Sequence, residues 1–339
     1  MKSLVLHGKQ DLRIDEGPQP QPGADEVRLR VAYVGICGSD LHYYFDGANG
    51  AFVVREPMSP GHEFSAVVDL DPSGEFEAGT PVTVHPAGFG TSLEGIEDRP
   101  HLWPNGSYLG SASTWPHTQG GMAEYLTLKK SMVRVVPEGL DLKTAALAEP
   151  LAVALHGIAL AGDSPKGKKV LVCGAGPIGL LTALAARALG ASDVTITDVL
   201  DGPLERASAL GIESTINVAH ESVPAETYDL VLECSGAPAS VSAAFVAAKR
   251  AATVIQLGML PNEPKGVNFA PMLSKEVTFV GSFRFNDEID RAIELLAEHP
   301  EFLEVVTHVV SADDAESAFD VARNADESGK VLVSMWWDE

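Results

Sequence analysis

The chain has 339 residues, with 24 Lys+Arg against 47 Asp+Glu and a formal charge of −23. A surface of that sign repels nucleic acid and anionic membrane. No apolar run is long enough to cross a bilayer, and the first residues lack a signal-peptide core, so a cytoplasmic protein with neither nucleic-acid nor membrane partner is expected. The length points to two domains. Three cysteines, Cys37, Cys173 and Cys234, build no disulfide framework, so a functional cysteine here is a metal ligand or a nucleophile.

The first third reads as β-rich. Glu26–Val34 and Phe64–Leu70 are short, β-branched and bounded by turn signals such as Pro20–Gly23 and Asp71–Gly74. Asp141–Ala161 carries apolar residues at helical spacing, with a break expected at Pro150. Strand and helix then alternate: Lys169–Val172 as strand, Pro177–Leu189 as helix, Asp193–Thr197 as strand, Pro203–Leu210 as helix, Tyr228–Glu233 as strand. Ala237–Ala248 reads as helix, and Thr253–Leu257 and Val277–Gly281 as strands. That alternation implies a doubly wound parallel sheet. The tail adds a helix at Asp287–Glu298 and a strand at Lys330–Met335. The expected class is therefore α/β, with a β-rich domain of residues 1–149 and 285–339 interrupted by a nucleotide-binding domain of residues 150–284. Trp336 and Trp337 are expected to pack against the first domain.

Gly174-Ala175-Gly176-Pro177-Ile178-Gly179 fits G-x-G-x-x-G. The match is weak alone but gains weight from the strand before it and the helix after it. Gly174 permits the turn, Gly176 lets backbone approach a pyrophosphate, and Gly179 allows close helix–strand packing. The helix that opens with Pro177 and Ile178 offers first-turn N–H groups, from Ile178 on, and a positive dipole end to phosphate. Asp198 ends the next strand, where a carboxylate accepts from ribose hydroxyls and repels a 2′-phosphate; the nearest downstream arginine is Arg206. These features favour NAD over NADP. Ser235 and Gly258, after two later strands, complete the cofactor-binding candidates. A glycine-rich turn without nucleotide is the plain alternative.

Gly35-Ile36-Cys37-Gly38-Ser39-Asp40-Leu41-His42 is followed by Gly61-His62-Glu63. Thiolate, imidazole and carboxylate are ligand types that Zn²⁺ takes, although a lone cysteine is more often a small core residue. These segments resemble the catalytic-zinc motifs of the medium-chain dehydrogenase/reductase superfamily, zinc-containing alcohol dehydrogenase type. Within it the chain is most similar to the branch of sorbitol dehydrogenases and L-idonate 5-dehydrogenases. The resemblance rests on G-I-C-G-S-D-L-H-Y-Y at Gly35–Tyr44, A-E-P-L-A-V-A-x-H at Ala148–His156, and G-S-F-R-F at Gly281–Phe285, and it spans essentially the whole chain.

The resemblance implies a GroES-like catalytic domain beside a Rossmann domain. It implies Cys37 and His62 as zinc ligands, with Glu63 or Glu149 as the third. Ser39 and His42 fall where relatives place a proton relay; Glu149 is also a candidate for proton transfer, and Arg284 matches an arginine near the active site of polyol relatives. The implied reaction is NAD-linked oxidation of a secondary hydroxyl on a sugar acid, with L-idonate favoured and sorbitol or xylitol as the alternative. A non-catalytic NAD-binding protein is the rival from another class. A homo-oligomer, dimer or tetramer, is implied as well. One departure stands out: where many relatives carry four cysteines around a structural zinc, His85–Gly121 has none. His85, His101 and His117 match no common closed site, so one zinc per chain is expected. Cys173, Cys234 and His156 read as packing residues.

Overall fold

The computed structural model describes residues 1–162, 164–263 and 265–337. They fall into two compact units. The first comprises Met1–Glu149, Ile289–Asn324 and the segment from Lys330; the second comprises Pro150–Glu288 and Ala325–Gly329.

The first unit is built on the strand Glu26–Gly35. Its burial alternates at the start and becomes continuous from Val31, as expected of a strand whose second half is covered on both faces. It pairs antiparallel with Glu63–Leu70, Tyr125–Lys129 and Lys330–Ser334. Pro81–Val84, Val133–Val135 and Val306–Ser311 complete a seven-stranded sheet. Val31 and Val34 lie in one apolar core with Met58, Phe64, Met122 and Phe319. The tail thus rejoins the β-rich unit: Trp337 lies under the Arg30 guanidinium at 5.1 Å, and Trp336 donates its indole N–H to Asp313.

The second unit holds six parallel strands. In spatial order they are Ser214–Asn217, Asp193–Asp198, Lys169–Cys173, Tyr228–Glu233, Ala248–Gln256 and Thr278–Gly281. Val170, Leu171 and Val172 are fully buried, because helices cover both faces of such a sheet. The chain crosses over between Lys169–Cys173 and Tyr228–Glu233, and the carboxyl ends there make the switch point at which nucleotides bind. Ser214–Asn217, only four residues long and half-buried throughout, leaves little periodic signal in the sequence.

Two expectations are corrected. Pro150 does not break a helix: the interruption lies at Ala146–Leu147, between Leu142–Ala145 and Ala148–Ala159, and Pro150 sits in the first turn of the latter. There its missing N–H is one that the helix would leave unpaired anyway. The second unit also extends past residue 284 to Glu288, whose carboxylate accepts from His156 at 2.7 Å. It takes back Ala325–Gly329 from the tail, since Arg206 donates to the Ala325 and Asp326 carbonyls.

Candidate metal and dinucleotide sites

Cys37 lies two residues past the end of the central strand and caps the helix Gly38–Asp46. Its thiol accepts from the Asp40 backbone N–H, and the Asp40 carboxylate accepts from the Cys37 N–H at 2.9 Å. The other Asp40 oxygen accepts from Gly61 N–H at 3.1 Å. One fully buried carboxylate thus ties the Cys37 turn to the turn carrying His62 and Glu63. Burial raises its pKa, with His62 opposing. Gly61 stands at φ +94°, a left-handed backbone that favours glycine. The result is convergence: one ligand atom each from Cys37, His62 and Glu63 lies within 4.8 Å of the others.

The donor set suits a zinc ion. His62 Nδ1 is buried with no hydrogen-bond partner among the described residues, an expensive condition unless something else takes its lone pair or proton. Burial alone would depress the His62 imidazole, but Cys37, Asp40 and Glu149 push it up to about 10. A pocket this anionic attracts positive charge, and a divalent cation answers that demand with ligands of the right type.

Glu149 stands in the first turn of Ala148–Ala159 and is buried. It is not part of the converging trio. Its Oε1 instead accepts from the Tyr108 hydroxyl at 2.5 Å, while the Tyr108 ring meets His62 edge-on at 5.3 Å. Burial raises the Glu149 pKa, with His62 opposing. Tyr108 arrives on the cysteine-free segment, where Ala87–Gly88 and Ser107–Tyr108 form a short antiparallel pair. In the same segment His117 braces two loops, accepting from Arg55 N–H and contacting the Thr114 carbonyl. His85 accepts from Ala87 N–H.

Lys330, only 2% exposed, forms an ion pair with Glu63 and donates to the Ile36 carbonyl at 2.9 Å. Burial would lower its pKa, but Glu63, Cys37 and Glu149 raise it. Gly35 leaves room for this pair: a Cβ there would lie 2.3 Å from Glu63 Oε2 and 2.9 Å from Lys330 Cε. Neither Tyr108 nor Lys330 is among the site candidates that the sequence offers. Tyr108 is one of several aromatics in a glycine-rich segment whose strands are only two residues long, and Lys330 lies 294 residues from the carbonyl it contacts.

Ser39 and His42 are three residues apart on Gly38–Asp46, hence on one helix face. His42 is exposed and bonds Asp46 at 3.0 Å. Arg284 belongs to the second unit, has φ +51°, and stacks on Phe283 at 4.9 Å.

In the second unit Gly174 takes φ +96°. A Cβ on Gly179 would come within 1.8 Å of the Gly174 carbonyl, whereas one on Gly176 would meet nothing within 4 Å. The helix Pro177–Ala188 starts with no side-chain cap, which leaves the first-turn N–H groups of Ile178 and Gly179 for a phosphate, Pro177 setting the turn without an N–H of its own. Asp198 accepts from Ala175 N–H at 2.8 Å with one oxygen, and from Val199 and Leu200 N–H with the other. Three of about four lone-pair directions on the carboxylate are thereby used, leaving room for a ribose hydroxyl. A cavity of about 310 Å³ adjoins it, lined by residues including Gly174, Asp198, Val199, Ser235 and Ala243. Its volume and largely apolar wall suit an adenine nucleoside. Gly258 packs against the Gly236 backbone. Cys173 and Cys234 are core-like thiols whose pKa burial raises, Cys173 to about 12.

Residues 23–138 match the family described as alcohol dehydrogenase GroES-like domain, and residues 177–298 the family described as zinc-binding dehydrogenase. A sorbitol dehydrogenase of Bos taurus is 33% identical over 336 residues, covering 95% of this chain and 92% of that protein. The structure is similar to L-idonate 5-dehydrogenase from Escherichia coli, with a TM-score of 0.92, 28% identity and coverage of 98% and 97%. It is also similar to galactitol-1-phosphate dehydrogenase from Escherichia coli, with a TM-score of 0.86, 31% identity and coverage of 98% and 100%.

Proposed function

This chain belongs to the zinc-type alcohol dehydrogenases of the medium-chain dehydrogenase/reductase superfamily, and on that premise we propose that it oxidises a secondary hydroxyl of an L-idonate-like sugar acid with NAD. The observation that carries the chemistry is the convergence of Cys37, His62 and Glu63 beside Glu149. Cys37, His62 and Glu63 are the proposed zinc ligands. Zinc would supply Lewis acidity to the substrate hydroxyl, and the dinucleotide would accept the hydride.

The chain's own residues supply placement and a proton route. Tyr108 fixes one Glu149 oxygen, so the other is free to orient a hydroxyl or a water. Ser39 and His42 share a helix face, and the exposed His42 can pass a proton to solvent. Asp198 is the proposed ribose partner, and its charge disfavours a 2′-phosphate. Arg206 is committed to two backbone carbonyls, which supports NAD over NADP. Arg284 is the proposed carboxylate partner of the sugar acid.

The substrate assignment follows the motif resemblance and the similarity to L-idonate 5-dehydrogenase. A neutral polyol is the second reading, favoured by the sorbitol dehydrogenase relative and by the charge of −23, which lends an anionic substrate no help. Assembly as a dimer or tetramer is proposed through the edge strand Thr278–Gly281. Its residues are largely exposed, Phe279 among them, and Leu273 in the preceding helix is an exposed apolar side chain.

The test is NADH formation from NAD⁺ on L-idonate, D-gluconate, sorbitol, xylitol and simple secondary alcohols. Faster turnover of L-idonate, lost on Arg284→Ala while sorbitol turnover persists, supports the sugar-acid assignment. Preference for a polyol moves the substrate to the second reading. A zinc-loaded, NAD-binding chain that oxidises none of them removes both.

A further inference from the structure

Glu233 is fully buried at the last position of Tyr228–Glu233, the strand that borders the switch point. Its carboxylate accepts from five neutral donors. These are Ser235 N–H at 3.1 Å, Gly236 N–H at 2.9 Å, Ser240 Oγ at 2.9 Å, Gln256 Nε2 at 2.5 Å, and the Ser235 hydroxyl. Its backbone carbonyl accepts from Leu257 and Gly258 N–H, each at 2.8 Å. Gln256 continues the chain of contacts by donating to the Gly258 carbonyl at 2.7 Å. One residue therefore holds the backbone of two loops, 234–237 and 257–259.

Loop 234–237 bears on the nucleotide cleft, and loop 257–259 packs behind it through Gly258 against Gly236. Ser235 and Ser240, each donating to Glu233, also line the 310 Å³ cavity beside Asp198. A Cβ on Gly174 would stand 3.0 Å from Ser235 Cα. Loop 234–237 is thus pressed against the glycine turn meant for the pyrophosphate, and Glu233 sets how closely. A buried carboxylate is an unusual choice for this task unless its acceptor capacity is used, because a neutral amide cannot accept at both ends.

We infer that Glu233 is a positioning residue for the dinucleotide: it pre-forms the cleft wall opposite Gly174 without touching the reacting atoms. The inference rests on the dinucleotide reading above and deepens it. Pre-formed loops spare the cofactor the entropy of ordering them on binding.

The experiment compares wild type, Glu233→Gln and Ser240→Ala by NADH fluorescence titration, zinc content, thermal melting and steady-state kinetics. Glu233→Gln places an amide NH₂ against backbone N–H donors and should weaken NADH binding by about tenfold or more. Ser240→Ala removes one donor and should weaken it by about two- to fivefold. In both, zinc content stays at the wild-type level and the KM for NAD rises while that for the alcohol is unchanged. A structural role alone would lower the melting temperature and leave the NADH Kd of the folded protein where it was. Folded variants with wild-type Kd overturn the inference, and if Glu233→Gln fails to fold, Ser240→Ala decides alone. A wild-type chain that binds no NADH overturns the dinucleotide reading and this inference with it.

Discussion

A carboxylate as buried as Glu63 needs a positive partner at all times, and Lys330 is that partner within the protein itself. Removing one member of such a pair leaves an uncompensated charge inside and typically costs about 3–5 kcal/mol. Lys330→Met is therefore expected to lower the stability of the metal-free chain by about that amount in urea unfolding, and added zinc should recover part of the loss by neutralising Glu63. Equal stability of variant and wild type would mean that Glu63 is rehydrated. Tyr108→Phe keeps the ring against His62 but deletes the donor to Glu149. Zinc content should persist while kcat falls, and the visible spectrum of the cobalt-substituted protein should shift if the freed carboxylate reaches the metal. Glu288 reports on acid stability. Burial would raise its carboxyl, but His156 and the Asn286 N–H hold it below the ordinary 4.5. A depressed acid stabilises the fold above 4.5 and forfeits that stability as pH falls through its lower folded value. Melting temperature should thus drop below pH 4.5 in wild type, and drop less in Glu288→Gln. Cys37, His62 and Glu63, the proposed ligands, came to notice through the family motifs in which they stand. Tyr108, Lys330 and Glu233 did not, since each acts through a contact that only the tertiary fold creates.

At the scale of elements, each cofactor site is built from turns within one unit, so the two should fail separately. Gly179→Ala would drive a methyl into the Gly174 carbonyl, and a backbone atom cannot step aside as a side chain can. NADH binding should be lost with zinc retained. Cys37→Ser should give the reverse, zinc lost and NADH retained, as read by metal analysis and fluorescence titration. Loss of both ligands in either variant would show that the sites are coupled. The strand–helix alternation from Lys169 onward was legible because each apolar run has the length of one element. Helix Ala148–Ala159 was harder: a proline signals a break in the sequence, yet its first-turn position is one that helices tolerate. The start of Ala248–Gln256 was hidden too. Ala251 at φ +57° and a register shift against Tyr228–Glu233 interrupt the pattern there.

Across the whole molecule, an excess of 23 negative charges makes self-repulsion a term in stability. Raising salt from 0.1 M to 1 M shortens the screening length from about 10 Å to about 3 Å. The melting temperature should accordingly rise by several degrees over that range. A flat response would mean that local ion pairs such as Arg28–Asp69 already offset the excess. The return of the tail to the first unit also orders events in time. The strand Lys330–Ser334, which lies against Gly35 and brings Lys330 to the Ile36 carbonyl, is synthesised 294 residues after the segment it joins. At about 5–20 residues per second, the turn that bears Cys37 waits roughly 15–60 s on the ribosome for its neighbour. The nucleotide-binding unit, made in between, has that interval in which to fold first. The surroundings of Cys37 are begun with its own turn and closed only when Lys330 arrives.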